Sequence, residues 1–77
     1  MNMIQVTIGN NVNRTNVILN NQSTLRSALE SQNIDYTKGS ILLDGVALQA
    51  GSLDKTFADF GITSKCYLMQ VVKADNA

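Results

Sequence analysis

Apolar and polar positions alternate from the start of the chain. Ile4, Val6 and Ile8 are separated by Gln5 and Thr7, the period-two pattern of a strand with one buried face. Gly9-Asn10-Asn11 interrupts it with residues suited to turn geometry. Residues 15–19 resume the alternation with Val17 and Leu19 on one face, and Asn20-Asn21 closes the run. Two strands around a short Gly/Asn loop predict an antiparallel hairpin. Ser23 or Thr24 then stands where a helix N-cap is needed. Leu25, Ala28, Leu29 and Gln32 follow at helical spacing, so the first three form a narrow apolar stripe opposite Arg26, Ser27, Glu30 and Ser31. Ile34 is expected to pack just past the helix end, and residues 35–40 to form a loop cornering at Lys38-Gly39.

The second half continues in short elements. Residues 41–43 read as a third strand, Asp44-Gly45 as a hairpin turn and residues 46–48 as its return arm. After a polar stretch, residues 53–62 predict a short helical turn held down by Leu53, Phe57 and Phe60, braced by Asp59 and ended by Gly61. Residues 65–72 form the last strand, and residues 73–77 a polar tail. The pattern describes one domain over residues 1–77, with its core in 3–72. It implies an α+β architecture, a four- to five-stranded mixed sheet packed on one helix, with the first and last strands side by side at the centre.

Two stretches resemble the ubiquitin-like β-grasp family. They are Ile41-Leu42-Leu43-Asp44-Gly45-Val46-Ala47-Leu48 and Leu53-Asp54-Lys55-Thr56-Phe57-Ala58-Asp59-Phe60-Gly61-Ile62. Within the second, residues 56–62 are similar, position by position, to the family's threonine-leucine-x-aspartate-tyrosine-x-isoleucine turn, with aromatic substitutions. The likeness runs over about residues 3–72 and implies the β-grasp fold. Family members that are conjugated or that carry sulfur end in Gly-Gly. Here the sequence reads Lys73-Ala74-Asp75-Asn76-Ala77, so covalent transfer through a modified C-terminus is the less favoured alternative. Val46 stands where ubiquitin has a lysine used for chain building, so chain building there is not expected.

Composition removes several chemistries. The 77 residues include no His, no Trp and no Pro, and Cys66 is the single cysteine. A histidine base, a Cys–His dyad and a Cys/His zinc site are therefore excluded within this sequence. Cys66 is expected to be a structural residue, although Lys65 beside it would favour a thiolate. The carboxylates are dispersed, with Asp44 assigned to its turn and Asp54-Lys55 to an ordinary solvated charge pair. The glycines match no phosphate-binding spacing. No cofactor and no catalytic activity are expected. Six basic residues balance six acidic ones, which offers no field for nucleic acid or a membrane surface. Tyr67 with Lys65 and Lys73 is too thin a set for an RNA-binding sheet. Neither a signal peptide nor a membrane span is recognised, which points to a cytoplasmic protein.

If Ile4, Val6, Ile8, Val17, Leu19, Leu25, Leu29, Leu43, Leu48, Ile62 and Leu68 face inward, alternation sends Leu42, Met69 and Val71 outward. The resemblance implies that this outer face carries the apolar patch gripped by partners, with Leu42 at the position of ubiquitin's central isoleucine. Val12 in the first turn and Tyr67 are weaker additions. Two other readings stay open: scattered surface apolar residues without a role, or a one-residue slip that exchanges Tyr67, Met69 and Val71 for Cys66 and Leu68 in the core. The expected function is that of a noncatalytic protein-binding adaptor or accessory subunit acting noncovalently, monomeric or weakly self-associating. Similar tail-less β-grasp proteins are bacterial accessory factors of larger machines, including secretion systems and multicomponent oxygenases. The alternative is a structural subunit of a homo-oligomer or a phage-type or mobile-element assembly, using the same patch or the unpaired edge of the second strand.

Overall fold

In the computed structural model, which describes residues 2–10 and 12–72, the N-terminal alternation becomes a hairpin of β1 (Met3–Gly9) and β2 (Arg14–Asn20). Its ladder runs without interruption from Met3–Asn20 to Gly9–Arg14. Gly9, expected in the turn, is instead the last residue of β1. The reversal is closed beyond it by Asn10, whose N–H donates to the Asn13 carbonyl (2.8 Å) and whose Oδ1 accepts from the Val12 and Asn13 N–H groups (2.8 and 2.9 Å). The asparagine side chain thus does locally what a tighter turn would have needed glycine for.

Helix α1 (Leu25–Ser31) begins at Thr24, whose hydroxyl accepts from the Ser27 N–H (3.1 Å). It ends in a Schellman arrangement: Ile34 N–H donates to the Leu29 carbonyl and Asn33 N–H to that of Glu30, with Asn33 at φ 58°. That reversal carries Ile34 back against the core, as its position after the helix predicted. Strands β3 (Ser40–Leu43) and β4 (Val46–Ala47) are joined by Asp44-Gly45, with φ 51° and 86°. Both central residues are left-handed, the geometry that matches strand twist in a two-residue hairpin. Leu48 falls just outside β4, although its N–H still donates to the Ile41 carbonyl (2.8 Å).

In place of one helical turn over residues 53–62 there are two 3₁₀ turns, Ala50–Asp54 and Ala58–Phe60. Between them Thr56 and Asp59 cap each other. The Asp59 N–H donates to Thr56 Oγ1 (3.1 Å), and the Thr56 N–H donates to Asp59 Oδ2 (3.0 Å). Main-chain bonds from Leu25 to Lys55, Phe57 to Ser23 and Ala58 to Asn21 pin this segment to the start of α1. Asp54, expected to pair with Lys55, instead meets Arg26 at 2.7 Å. The last strand, β5 (Lys65–Val71), stops one residue short of the expected end. The expected tail, 73–77, lies outside the described residues.

Among the described residues the strands form a five-stranded sheet in the order β2-β1-β5-β3-β4. Only β1 and β5 are parallel, and they lie side by side in its middle. One face is packed on α1. There Ile4, Val6 and Ile8 of β1, Ile41 and Leu43 of β3, and Cys66 and Leu68 of β5 are buried with Leu25, Ala28, Leu29, Leu53 and Phe57. Val17, Leu19, Leu48 and Ile62 from the expected core set are half-buried at its margin. At roughly 1.5–3 kcal/mol for each large apolar side chain removed from water, this single layer is the main favourable contribution to folding.

Candidate functional site

The pairing registers fix which side chains share the other face. Val6 lies beside Cys66, Ile8 beside Leu68 and Leu43 beside Leu68, so the residues between them, Tyr67 and Met69, point away from α1. A one-residue slip of β5 is therefore not what the sheet adopts. On this outer face one row crosses all five strands: Arg14, Gly9, Met69, Leu42 and Ala47 are successive cross-strand neighbours. Along β5, Val71 and Tyr67 flank Met69 on the same face. Leu42, Met69 and Val71 are half-buried with no layer above them among the described residues, and Tyr67 is exposed. Their neighbours toward the edge are polar, with Thr7 beside Tyr67 and Ser40 beside Val71.

Two features hold this face in place. Asp44, in the β3–β4 turn, donates its N–H to the Tyr67 carbonyl (2.8 Å) and accepts the Tyr67 N–H on Oδ1 (2.9 Å). Its left-handed backbone and its carboxylate thereby tie the β3–β4 turn to β5. Beneath, Gln70 faces the core side and is buried. Its Nε2 donates to the Asp35 and Lys38 carbonyls (2.6 and 2.9 Å), fastening the loop before β3 to β5. A buried amide needs such partners, and here they also fix the β3–β5 register on which the Leu42–Met69 contact depends.

Of the five candidate residues, Leu42, Met69, Val71 and Tyr67 form one continuous group. Val12 is highly exposed at the hairpin tip, where it lines a shallow cavity of about 190 Å³ with Asn10, Gln70 and Val72. Gln70 and Val72 have the opposite parity from Met69 and Val71, so Val12 borders the helix-side rim of the sheet rather than the Leu42–Met69 row. Ala47 and Arg14 were not among the candidates. Ala47 was legible, because a two-residue Asp-Gly turn pairing Leu43 with Val46 puts Ala47 opposite Leu42. Arg14 was hidden by the assignment of Gly9 to the turn.

The helix side offers different chemistry. A cavity of about 400 Å³ is lined by Arg26, Tyr36, Ile41, Leu48 and Leu53, among others. The Arg26 guanidinium sits 5.7 Å from the centre of the Tyr36 ring while it pairs with Asp54. The Tyr36 hydroxyl donates to Glu30 (2.7 Å), which raises its pKa above the usual 10.0. Among the described residues, no three His, Cys, Asp or Glu side chains gather as a metal site would need.

Cys66 lies in the core at 3% exposure, and burial, with a smaller contribution from the Asp44 charge, pushes its thiol from 9.0 up to about 11. Lys65 next to it in sequence faces the opposite side of the sheet and does not offset this. We therefore expect Cys66 in the folded chain to resist iodoacetamide at pH 8 and to react readily in denaturant, as mass spectrometry will read. Because the folded pKa exceeds the unfolded one, stability is unaffected by this group below about pH 9 and falls as pH rises through about 11. Rapid alkylation of native protein at pH 8 would show that β5 opens at this position.

No family model matches the chain, and no curated protein does either. Solved structures do match. The ubiquitin-like domain of an Arabidopsis thaliana protein is 17% identical with a TM-score of 0.74, over 100% of this chain and 84% of that one. Caldiarchaeum subterraneum ubiquitin is 10% identical with a TM-score of 0.67, over 97% and 99% of the two chains. The C-terminal ubiquitin-like domain of mouse tubulin-specific chaperone e is 6% identical with a TM-score of 0.66, over 99% and 92%. The fold is a ubiquitin-like β-grasp. Among the described residues, no helix is long and apolar enough to cross a membrane.

Proposed function

We propose that this chain is a noncatalytic, cytoplasmic protein-binding module, a small adaptor or accessory subunit that docks a partner noncovalently on the outer face of its sheet. Leu42, Met69 and Val71 are the anchors, with Tyr67 beside them and Val12 as a separate contact at the hairpin tip. The reading is carried by one observation: Leu42 and Met69 are direct cross-strand neighbours on a face that no element covers among the described residues. Adjacent apolar side chains left half in water gain by being covered, and contiguous apolar patches are common at interfaces. Met adds adaptability, because its unbranched thioether repacks against different shapes. The group is small, so the interface belongs with the weak or transient class. The mouse chaperone domain of the same fold belongs to a protein named for tubulin, which is consistent with a protein partner for this one.

The test starts with affinity capture using the wild-type chain and a Leu42→Asp/Met69→Asp variant shown to be folded by circular dichroism. The captured protein is then titrated calorimetrically against both. Two anchors at a desolvated centre together are expected to lower affinity at least about a hundredfold, while Ser27→Asp on the exposed side of α1 changes nothing. Equal affinity of wild type and double variant would overturn the reading.

A further inference from the structure

We propose that β2 is the pairing edge of a two-fold homodimer, in which the strand adds antiparallel to the same strand of a second copy. The inference is independent of the docking face on Leu42 and Met69. Two strands bound the sheet, β2 and β4. Of these β4 has only two residues, whereas β2 has seven in unbroken register.

The open main-chain groups can be identified. Asn10 N–H donates to the Asn13 carbonyl at one end of the β1–β2 ladder and Asn21 N–H to the Asn2 carbonyl at the other. Alternation between them makes Ile4–Leu19, Val6–Val17 and Ile8–Thr15 the hydrogen-bonded pairs. Arg14, Asn16 and Ile18 therefore aim their N–H and C=O groups away from β1. Among the described residues no hydrogen bond reaches those groups. Natural sheets guard such an edge with charged side chains, proline, a bulge or brevity. Of these, residues 14–20 have one charge, Arg14 at the strand's start, and Ile18 is 62% exposed near its middle.

The side chains suit a second copy. Centred on Val17, the antiparallel pairing sets Asn16 against Ile18, Thr15 against Leu19 and Arg14 against Asn20. Asn16 and Ile18 of each copy then exchange their open main-chain bonds. On the helix side Val17 meets its own mate, and the half-buried Leu19 gains cover. The only charge on the strand, Arg14, sits at its end. The two arginines lie about 20 Å apart at roughly 3.3 Å per residue, well beyond a screening length of about 8 Å. The formal net charge of +0 adds no repulsion between copies. The two-residue β4 is too short for head-to-tail pairing, so association closes at the dimer.

Sedimentation equilibrium over a wide concentration range tests this, with amide exchange followed by NMR. The chain of 8.4 kDa is expected to shift toward twice that mass. The Asn16 and Ile18 amides should gain protection as concentration rises. Asn16→Pro removes an N–H that β1 does not use, and Ile18→Lys places a charge at the centre while keeping its N–H. Each is expected to weaken the dimer at least tenfold. A chain that stays monomeric at millimolar concentration overturns the proposal. So does a dimer that survives Ile18→Lys but is lost in Leu42→Asp.

Discussion

Replacing Phe57 with alanine is expected to remove a large part of the domain's stability. Phe57 has 0% exposure and is among the largest fully buried side chains. It projects into the core from a segment with no regular α-helix to hold it. The reciprocal Thr56–Asp59 caps and the main-chain bond from Phe57 N–H to the Ser23 carbonyl (3.2 Å) fix its backbone instead. Truncating a buried Phe costs about 3–5 kcal/mol, because lost transfer energy and an uncollapsed cavity add. A domain of 77 residues is stable by about 4–12 kcal/mol in all. Guanidinium denaturation followed by far-ultraviolet circular dichroism should record that loss, and the melting temperature should fall by more than about 12 °C. Phe60→Ala, at a half-buried position, should cost less. A Phe57→Ala loss below about 1 kcal/mol would mean that residues 50–62 do not belong to the cooperative unit.

Gly39→Ala is the second severe substitution, and it reaches the candidate site. Gly39 has φ +66°, and a Cβ there would lie 2.3 Å from the Val71 carbonyl oxygen and 2.9 Å from Val72 Cγ2. The left-handed backbone alone costs a non-glycine residue about 1–2 kcal/mol. The close approach to the main chain of β5 adds to it, because a carbonyl held in a ladder cannot yield as a flexible side chain can. Gly45→Ala separates the two contributions, since Gly45 has φ +86° with nothing within 4 Å of its would-be Cβ. Denaturation should rank Gly39→Ala as the more damaging of the pair. Its strain falls on the Ser40–Val71 pairing, so the folded fraction should also bind a partner more weakly. Equal losses in the two variants would mean that the β3–β5 end gives way without cost.

Much of this architecture can be read from the chain because its strands alternate cleanly. Ile4, Val6 and Ile8 set one buried face, and the Asp-Gly turn fixed the β3–β4 register. Residues 56–62 carried both the family resemblance and the place of Phe57. The outward position of Leu42 and Met69 followed from the same parity. What escaped had no periodic signature. The 3₁₀ turn at Ala50–Asp54 is too short to repeat an apolar spacing. Gly9 reads as a breaker in sequence, yet it continues β1 opposite Arg14. Asp54 has Lys55 as its neighbour along the chain, but tertiary packing brings Arg26 to it. Gln70 is a polar residue at an inward position, and nothing local reveals that two loop carbonyls wait for its amide.

The outer face as a docking surface is tested most directly by methyl NMR of the labelled wild-type chain during titration with the protein it captures. The methyl resonances of Leu42, Met69 and Val71 should shift or broaden first, while those of Leu25 and Leu53 in the core stay in place. Perturbations centred on Ile18 or on α1, with Leu42 and Met69 unmoved, would contradict a binding site on this face.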